Sequence, residues 1–282
     1  MMPISLQGQG ETGDISDRAF ERLRGLIHRE CGIALAPHKR ALMRCRLRDR
    51  VQELGLESFD AYADLLESGD ADRQEWTEFL DRMTTNKTSF FRERTHIDYL
   101  TTTYLDEIRG SDSPRTIRGW CAACSSGQEP TSIVMALLER LDDGSGWNVQ
   151  VNATDLSRRM LAKAKVGRYT TREAEELNEG MRERWTREAP GGIEVVEDVR
   201  RHITYTRHNL MNEKITVGRG FDFVFCRNVM IYFDAPTRAA IVRRLAGQLR
   251  LGGILALGLA ESLVEKVSGL QSIQTALYRR VS

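Results

Sequence analysis

Three apolar stretches with the character of buried strands are each followed at once by polar residues, and these are the side chains with chemistry to offer. Behind TIRGWCA comes AACSSGQEP, where Gly127 and its small neighbours let backbone approach a ligand closely and Glu129 stands at the mouth of the following helix. Behind VQVNATD stands Asp155, placed where a carboxylate can accept hydrogen bonds from a ribose diol. Behind FDFVFC stand Arg227 and Asn228, with Tyr232 a few positions on; polar groups at the end of a buried strand need partners, and a ligand is one supply. Each segment also has a duller reading: an ordinary tight turn, a cap for the next helix, a local polar network. Ser157 is the better-placed cap, however, and the glycine loop and acid together point to an adenosine-containing ligand without saying which. The three-glycine dinucleotide fingerprint is absent, which counts against nicotinamide or flavin chemistry.

The elements that must position these groups follow from periodicity. Residues 1–83 carry only helical signals: Ser16 before Phe20, Leu23 and Ile27; Pro37 opening a helix with Leu47, Val51 and Leu54 inside and Gly55 at its end; Ser58 before Phe59, Tyr62 and Leu66; Asp72 before Trp76, Phe79, Leu80 and Met83. Residues 84–110 read as a connection, containing NKTSFFRE and a helix with Ile97, Leu100, Tyr104 and Ile108 on one face. From 111 to 282 strands alternate with helices, the signature of a largely parallel sheet covered on both faces. Pro130 to Leu141 and Pro236 to Leu249 read as helices, GILALGL as a strand and IQTALYRRVS as one closing strand. One passage, about 172–208, interrupts the alternation. It reads as a charged helix over 172–186 followed by a hairpin-like pair, IEVVED and HITYTR.

Composition excludes several classes. With 41% hydrophobic and 29% charged residues among 282, the chain falls where globular proteins fall, with length enough for two domains. It lacks an apolar run of membrane-spanning length, its start lacks the basic flank and apolar core of a signal peptide, and its five cysteines have no disulfide-framework spacing; a cytoplasmic location without membrane insertion is expected. The Cys121/Cys124 pair has neither a second such pair nor histidines at ligand spacing, so no metal is expected. A formal net charge of +1 and the absence of interleaved aromatics argue against nucleic acid. Charge is nonetheless concentrated locally: Arg40, Arg44 and Arg48 form a basic ridge at four-residue spacing, either a solvated face or a dock for an acidic surface.

Five segments in order, TTNKTSFFRE, WCAACSSGQEPTSI, NATDLS, FCRNVMIYFD and GLAES, resemble the CheR family of chemotaxis protein-glutamate O-methyltransferases. The likeness runs from about residue 15 to 282. It implies an all-α N-terminal domain, then an α/β domain with the Rossmann-like sheet of S-adenosylmethionine-dependent methyltransferases and a small β-hairpin insertion. It further implies that Asn86, Thr88, Arg92, Glu129, Asp155, Asn209, Leu210, Arg227 and Asn228 surround S-adenosylmethionine, whose product is S-adenosylhomocysteine. The substrate implied is a set of glutamate side chains in the cytoplasmic helical region of methyl-accepting chemotaxis receptors, methylated by a monomer, with the Arg40/Arg44/Arg48 ridge as the dock. Cys121, Cys124, Gln128 and Thr131 depart from the family's usual residues.

Transfer of methyl to a carboxylate needs no general base, since glutamate, with a reference pKa of about 4.3, is already ionised at neutral pH. Alignment and exclusion of water are what the protein must supply. Arg92 and Tyr232 are the candidates for holding the substrate carboxylate; Arg92 could serve the cofactor instead, and Tyr232 could simply pack. The segment TREAPGG, read as the connection in the insertion, looks short beside family members that bind a receptor tether there, which points to recognition without a tether.

Overall fold

The computed structural model describes residues 13–110, 115–142, 144, 146–263 and 267–282. Two compact units divide the chain, Met1–Thr84 and Thr85–Ser282.

The first unit is helical, and side-chain caps set its boundaries. Helix α1 (Asp17–Cys31) begins where Ser16 accepts from the Ala19 N–H and ends at Gly32 in the left-handed region. A 3-10 turn over Pro37–Lys39 precedes α2 (Arg40–Glu53), so Pro37 opens the turn and not the α-helix itself. Ser58 caps α3 (Phe59–Ser68) and Asp72 caps α4 (Arg73–Met83). Phe20, Leu23, Ile27, Met43, Leu47, Val51, Phe59, Tyr62 and Phe79 form the interior. Glu75 lies within it, accepting from the Tyr62 hydroxyl at 2.6 Å and ion-paired with Arg50, so the buried carboxylate is compensated.

The second unit begins within the segment read as a connection. Phe90 is buried and stacks edge-on against Tyr169, and α5 (Thr95–Tyr99), a π-helical turn (Leu100–Tyr104) and α6 (Leu105–Arg109) run on as one rod with Ile97, Leu100, Tyr104, Leu105 and Ile108 inward. The chain then alternates as β1 (Thr116–Ala122), α7 (Gln128–Leu141), β2 (Asn148–Asp155), α8 (Arg158–Val166), β3 (Arg168–Thr170), α9 (Glu179–Trp185), β4 (Thr186–Ala189), β5 (Gly192–Val195), α10 (Glu197–Arg200), β6 (Ile203–Arg207), β7 (Phe221–Cys226), α11 (Ala235–Ala246), β8 (Leu249–Leu257), β9 (Leu270–Gln274) and β10 (Leu277–Arg280). The main sheet has the order β6-β2-β1-β7-β8-β10-β9, parallel through its first five strands and antiparallel at β10 and β9. Every residue of β7 is buried, as a central strand requires.

The small sheet, order β3-β5-β4, departs from the sequence reading. HITYTR is not half of a hairpin: as β6 it pairs in parallel with β2 at the edge of the main sheet. The hairpin is β4–β5, so TREAPGG is a strand and its turn, and the premise of a short connection falls. Only the IEV part of IEVVED is extended; Glu197 starts α10. Asn178 caps α9, so the helix expected from 172 begins at 179. The closing strand is two strands, folded back at Ala276, whose φ of 56° makes the turn without a glycine.

Candidate functional site

Carboxyl ends of parallel strands on either side of a switch in strand order are where such sheets bind ligands, and here the switch falls between β1 and β7. The chain leaves β1 through a loop with Ala123 at φ 62°, Ser125 at 50° and Gly127 at 90°. Gly127 is obligatory: a Cβ there would lie 2.8 Å from the Ala164 Cβ and 2.9 Å from the Tyr205 hydroxyl. Asp155, 7% exposed, fixes this loop from the end of β2, one carboxylate oxygen accepting from the Ser125 N–H at 2.7 Å and the other from the Ser157 N–H at 2.8 Å. Its carboxylate therefore joins the loops after β1 and β2, while Ser157 caps α8, as its position suggests.

Segment 86–93 packs onto the same loop. The Asn86 carbonyl accepts from the Ser125 hydroxyl at 2.9 Å, and the Phe91 N–H donates to the Ser132 hydroxyl of α7 at 2.9 Å. Asn86 and Thr88 are half-buried. Arg92 folds back on its own segment, donating to the Lys87 carbonyl at 3.0 Å. Asn209 and Leu210 follow β6: Asn209 accepts from the Met211 N–H at 3.0 Å, and the Leu210 carbonyl accepts from Arg244 of α11 at 2.7 Å.

At the end of β7, the Arg227 side chain is 1% exposed, its Nε 2.6 Å from the Glu129 carboxylate and its Nη1 donating to the Glu93 carbonyl at 3.1 Å. Asn228 occupies the left-handed region at φ 59°. Its N–H donates to Glu261 at 2.7 Å and its Nδ2 to Glu93 at 2.9 Å. The Glu261 carboxylate, from the 3-10 turn Leu259–Glu261 after β8, also accepts the N–H groups of Ile231 (3.1 Å) and Gly258 (2.8 Å). Tyr232 follows on the turn Met230–Tyr232, half-buried, and no hydrogen bond joins it to Arg92. Of the six non-glycine residues with positive φ among the described residues, five, Phe91, Glu93, Ala123, Ser125 and Asn228, lie in these segments, a concentration of backbone strain of the kind functional sites hold.

Glu93 and Glu261 are the residues the sequence reading missed. Each serves backbone far away in sequence, and the only signal was that both lie inside recognisable segments, NKTSFFRE and GLAES. The departures from the family pattern are accommodated. Gln128, 1% exposed, accepts from the Ser126 hydroxyl at 2.8 Å, and the Thr131 hydroxyl donates to the Gly127 carbonyl at 2.7 Å. Burial pushes the Cys121, Cys124 and Cys226 thiols well above their ordinary range, so all three are neutral packing groups. Among the described residues no group of three or more His, Cys, Asp and Glu side chains could hold a metal ion. A polar groove of about 580 Å³ lined by Arg118, Asn148, Gln150, Asn152 and His202 lies toward the opposite strand ends, away from these loops.

The edge as a whole suits a cationic, ribose-bearing molecule. Glu93 and Glu129 flank Arg227, Asp155 and Glu261 accept backbone N–H groups in the neighbouring loops, small residues and Gly127 open the first loop, and an acid ends β2. With the order of its seven strands and the antiparallel β10 inserted beside β8, this defines a Rossmann-like S-adenosylmethionine-dependent methyltransferase. Comparison with known proteins narrows the class. Residues 86–278 match the model described as CheR methyltransferase, SAM binding domain, and residues 18–84 the model described as CheR methyltransferase, all-alpha domain. The chain belongs to the CheR methyltransferase family. It is similar to the chemotaxis protein methyltransferase of Escherichia coli, at 37% identity over 88% of this chain and 85% of that one. Likewise it is similar to the probable chemotaxis protein methyltransferase of Rhizobium etli, at 38% over 86% and 91%. Chemotaxis protein methyltransferase 1 of Pseudomonas aeruginosa matches at 34% over 90% and 94%. Its cofactor is S-adenosylmethionine. No helix among the described residues is long and apolar enough to cross a membrane.

Proposed function

We propose that this enzyme methylates glutamate side chains in the helical cytoplasmic region of chemotaxis receptors, giving glutamate methyl esters for sensory adaptation. The observation that carries the reading is that relatives named for chemotaxis methylation match through both units, the helical one included. Asp155 would take the ribose hydroxyls, Glu129, Arg227 and Asn228 the polar edge of the cofactor, and Asn86, Thr88, Asn209 and Leu210 its flanks. When bound, S-adenosylmethionine supplies an electrophilic methyl group and leaves as S-adenosylhomocysteine.

The chain's own residues have to hold an already ionised carboxylate and strip it of water. Arg92 and Tyr232 would do this. The geometry supports different roles for them: Arg92 already gives one N–H to the Lys87 carbonyl and keeps its other donors, whereas the Tyr232 hydroxyl makes no hydrogen bond among the described residues. Docking falls to α2, where Arg40 and Arg44 are ion-paired with Asp17 and Asp14 and Arg48 is exposed. Arg48 is accordingly the strongest point of attraction for an acidic helix.

The test is transfer of labelled methyl from S-adenosylmethionine to receptor cytoplasmic fragments from the same cell. Base-labile label released as methanol, lost when the receptor glutamates are changed to alanine, is expected. Tight cofactor binding without any such ester would overturn the proposal.

A further inference from the structure

The Glu93 carboxylate bridges the loops after β7 and β8. Oε1 accepts from the Asn228 Nδ2 at 2.9 Å, Oε2 accepts from the Leu259 N–H at 3.0 Å and stands 3.7 Å from the Arg227 Nη1. Its own carbonyl accepts from that same Nη1 at 3.1 Å. The residue is held at φ 49°, two positions after Phe91 at 49°, so segment 86–93 approaches the sheet through a strained turn with the Glu93 carboxylate at its tip. An asparagine amide can rotate and flip. A carboxylate on Nδ2 allows only one orientation, because the opposite flip would set Oδ1 against a carboxylate oxygen.

We infer that Glu93 is a positioning residue for cofactor binding: it fixes the Asn228 amide so that Oδ1 and the second N–H face the cofactor, and it steadies Arg227 between two carboxylates. This rests on the proposed cofactor contact of Asn228. The charge also matters. Arg227 is almost fully buried, and with Glu93 removed its guanidinium would keep Glu129 alone as ionic partner. Its side chain could then turn toward the cofactor or toward solvent, and the edge would lose its preset shape.

A double-mutant cycle on the full chain tests this, with S-adenosylhomocysteine affinity measured by calorimetry and thermal midpoints recorded alongside. Asn228→Ala should weaken binding. Glu93→Ala should weaken it about 10-fold in the wild-type background and less than about 3-fold once Asn228 is alanine, a coupling expected of contacting residues that act as one unit. Glu93→Asp, which keeps the charge but is too short to reach both partners, should fall between. A residue that merely stapled the fold would lower the thermal midpoint with additive losses of affinity, and that result overturns the inference. If Glu93→Ala does not fold, the cycle is run with Glu93→Gln, which preserves size and removes the charge, with the same criterion. Unchanged affinity in Asn228→Ala would remove the cofactor contact itself, and the inference with it; a weakened Asn228→Ala without coupling to Glu93 would remove the positioning role alone.

Discussion

Replacement of Glu261 should destabilise the second unit by an amount that its hydrogen bonds fix. Its carboxylate is 2% exposed and accepts three backbone N–H groups, two on Oε2, from Asn228 and Gly258, and one on Oε1, from Ile231. Alanine at this position strands all three donors. At about 1–3 kcal/mol for each unsatisfied group, and with those of Asn228 and Ile231 only partly buried and so within reach of water, the loss should be about 3–5 kcal/mol. Glutamine retains an oxygen for the pair on Oε2 but makes those bonds neutral and sets an amide NH2 against the Ile231 N–H, so about 2–3 kcal/mol is expected. Both values correspond to a drop in midpoint of roughly 2–4 °C per kcal/mol for a unit of this size. Tryptophan fluorescence follows it, since Trp120, Trp147 and Trp185 lie in the second unit and only Trp76 in the first. Hydrogen exchange supplies the local readout: the amides of Asn228, Ile231 and Gly258 should lose protection in both variants. A loss below about 1 kcal/mol for Glu261→Ala with those amides still protected would refute the view that this carboxylate organises the two loops.

Asp155→Ala should weaken S-adenosylhomocysteine severely and also loosen the Ser125 and Ser157 amides; unchanged affinity by calorimetry would remove the ribose role. Gly127→Ala, with its φ of 90° and a Cβ inside contact distance of Ala164 and Tyr205, should cost about 1–3 kcal/mol and cofactor affinity together, and an unaltered melting curve would show that the loop can shift to admit it. Changing Arg40, Arg44 and Arg48 to glutamate should slow methylation at low salt while leaving cofactor affinity intact, with Arg48→Glu giving most of the effect; rates equal to wild type across salt concentrations would refute docking by this face. Burial holds the His96 imidazole below its ordinary value, as burial and then Arg244 do for His208. With folded values lower than unfolded ones, the unfolded chain takes up protons first. Stability present above about pH 6.5 should therefore decline as pH falls below it, by up to about 1.4 kcal/mol per unit for each group until the folded value is reached. His96→Phe should flatten the dependence of the urea midpoint on pH between 6.5 and 5, and an unchanged slope would exclude His96 as a source.

Local chemistry was the legible part of the sequence. Ser16, Ser58, Asp72 and Ser157 all cap the helices their positions suggest, because capping depends on a side chain and an amide three residues on. Asp155 could be placed at a strand end for a similar reason: alternation stops there and an acid stands in its place. What could not be read is pairing across distance. HITYTR alternates as any half-exposed strand does, and nothing in its residues says which sheet it joins. TREA is polar because β4 is an exposed edge strand, so it passes for a loop. Ala276 turns the chain without glycine or proline and leaves no sign of two strands. Glu93 and Glu261 were invisible as site residues because the groups they serve come together only in the fold: Asn228 lies 135 positions from Glu93, and Leu259 lies 166.

The order of strands in the main sheet also bears on how the enzyme is made. Strands β1, β2 and β6 leave the ribosome first and form one side of the sheet; β7, β8, β10 and β9 follow and build outward on the other side of β1. Glu93, Glu129 and Asp155 belong to the early half, whereas Arg227, Asn228 and Glu261 belong to the late one. A chain stalled before β7 thus presents an unpaired edge on β1 beside Glu93 and Glu129, whose arginine has not yet been synthesised, a species open to misassociation and inviting to chaperones and proteases. The edge proposed to hold the cofactor is the seam along which the two halves close, so binding competence should appear late in synthesis, with a nearly complete chain.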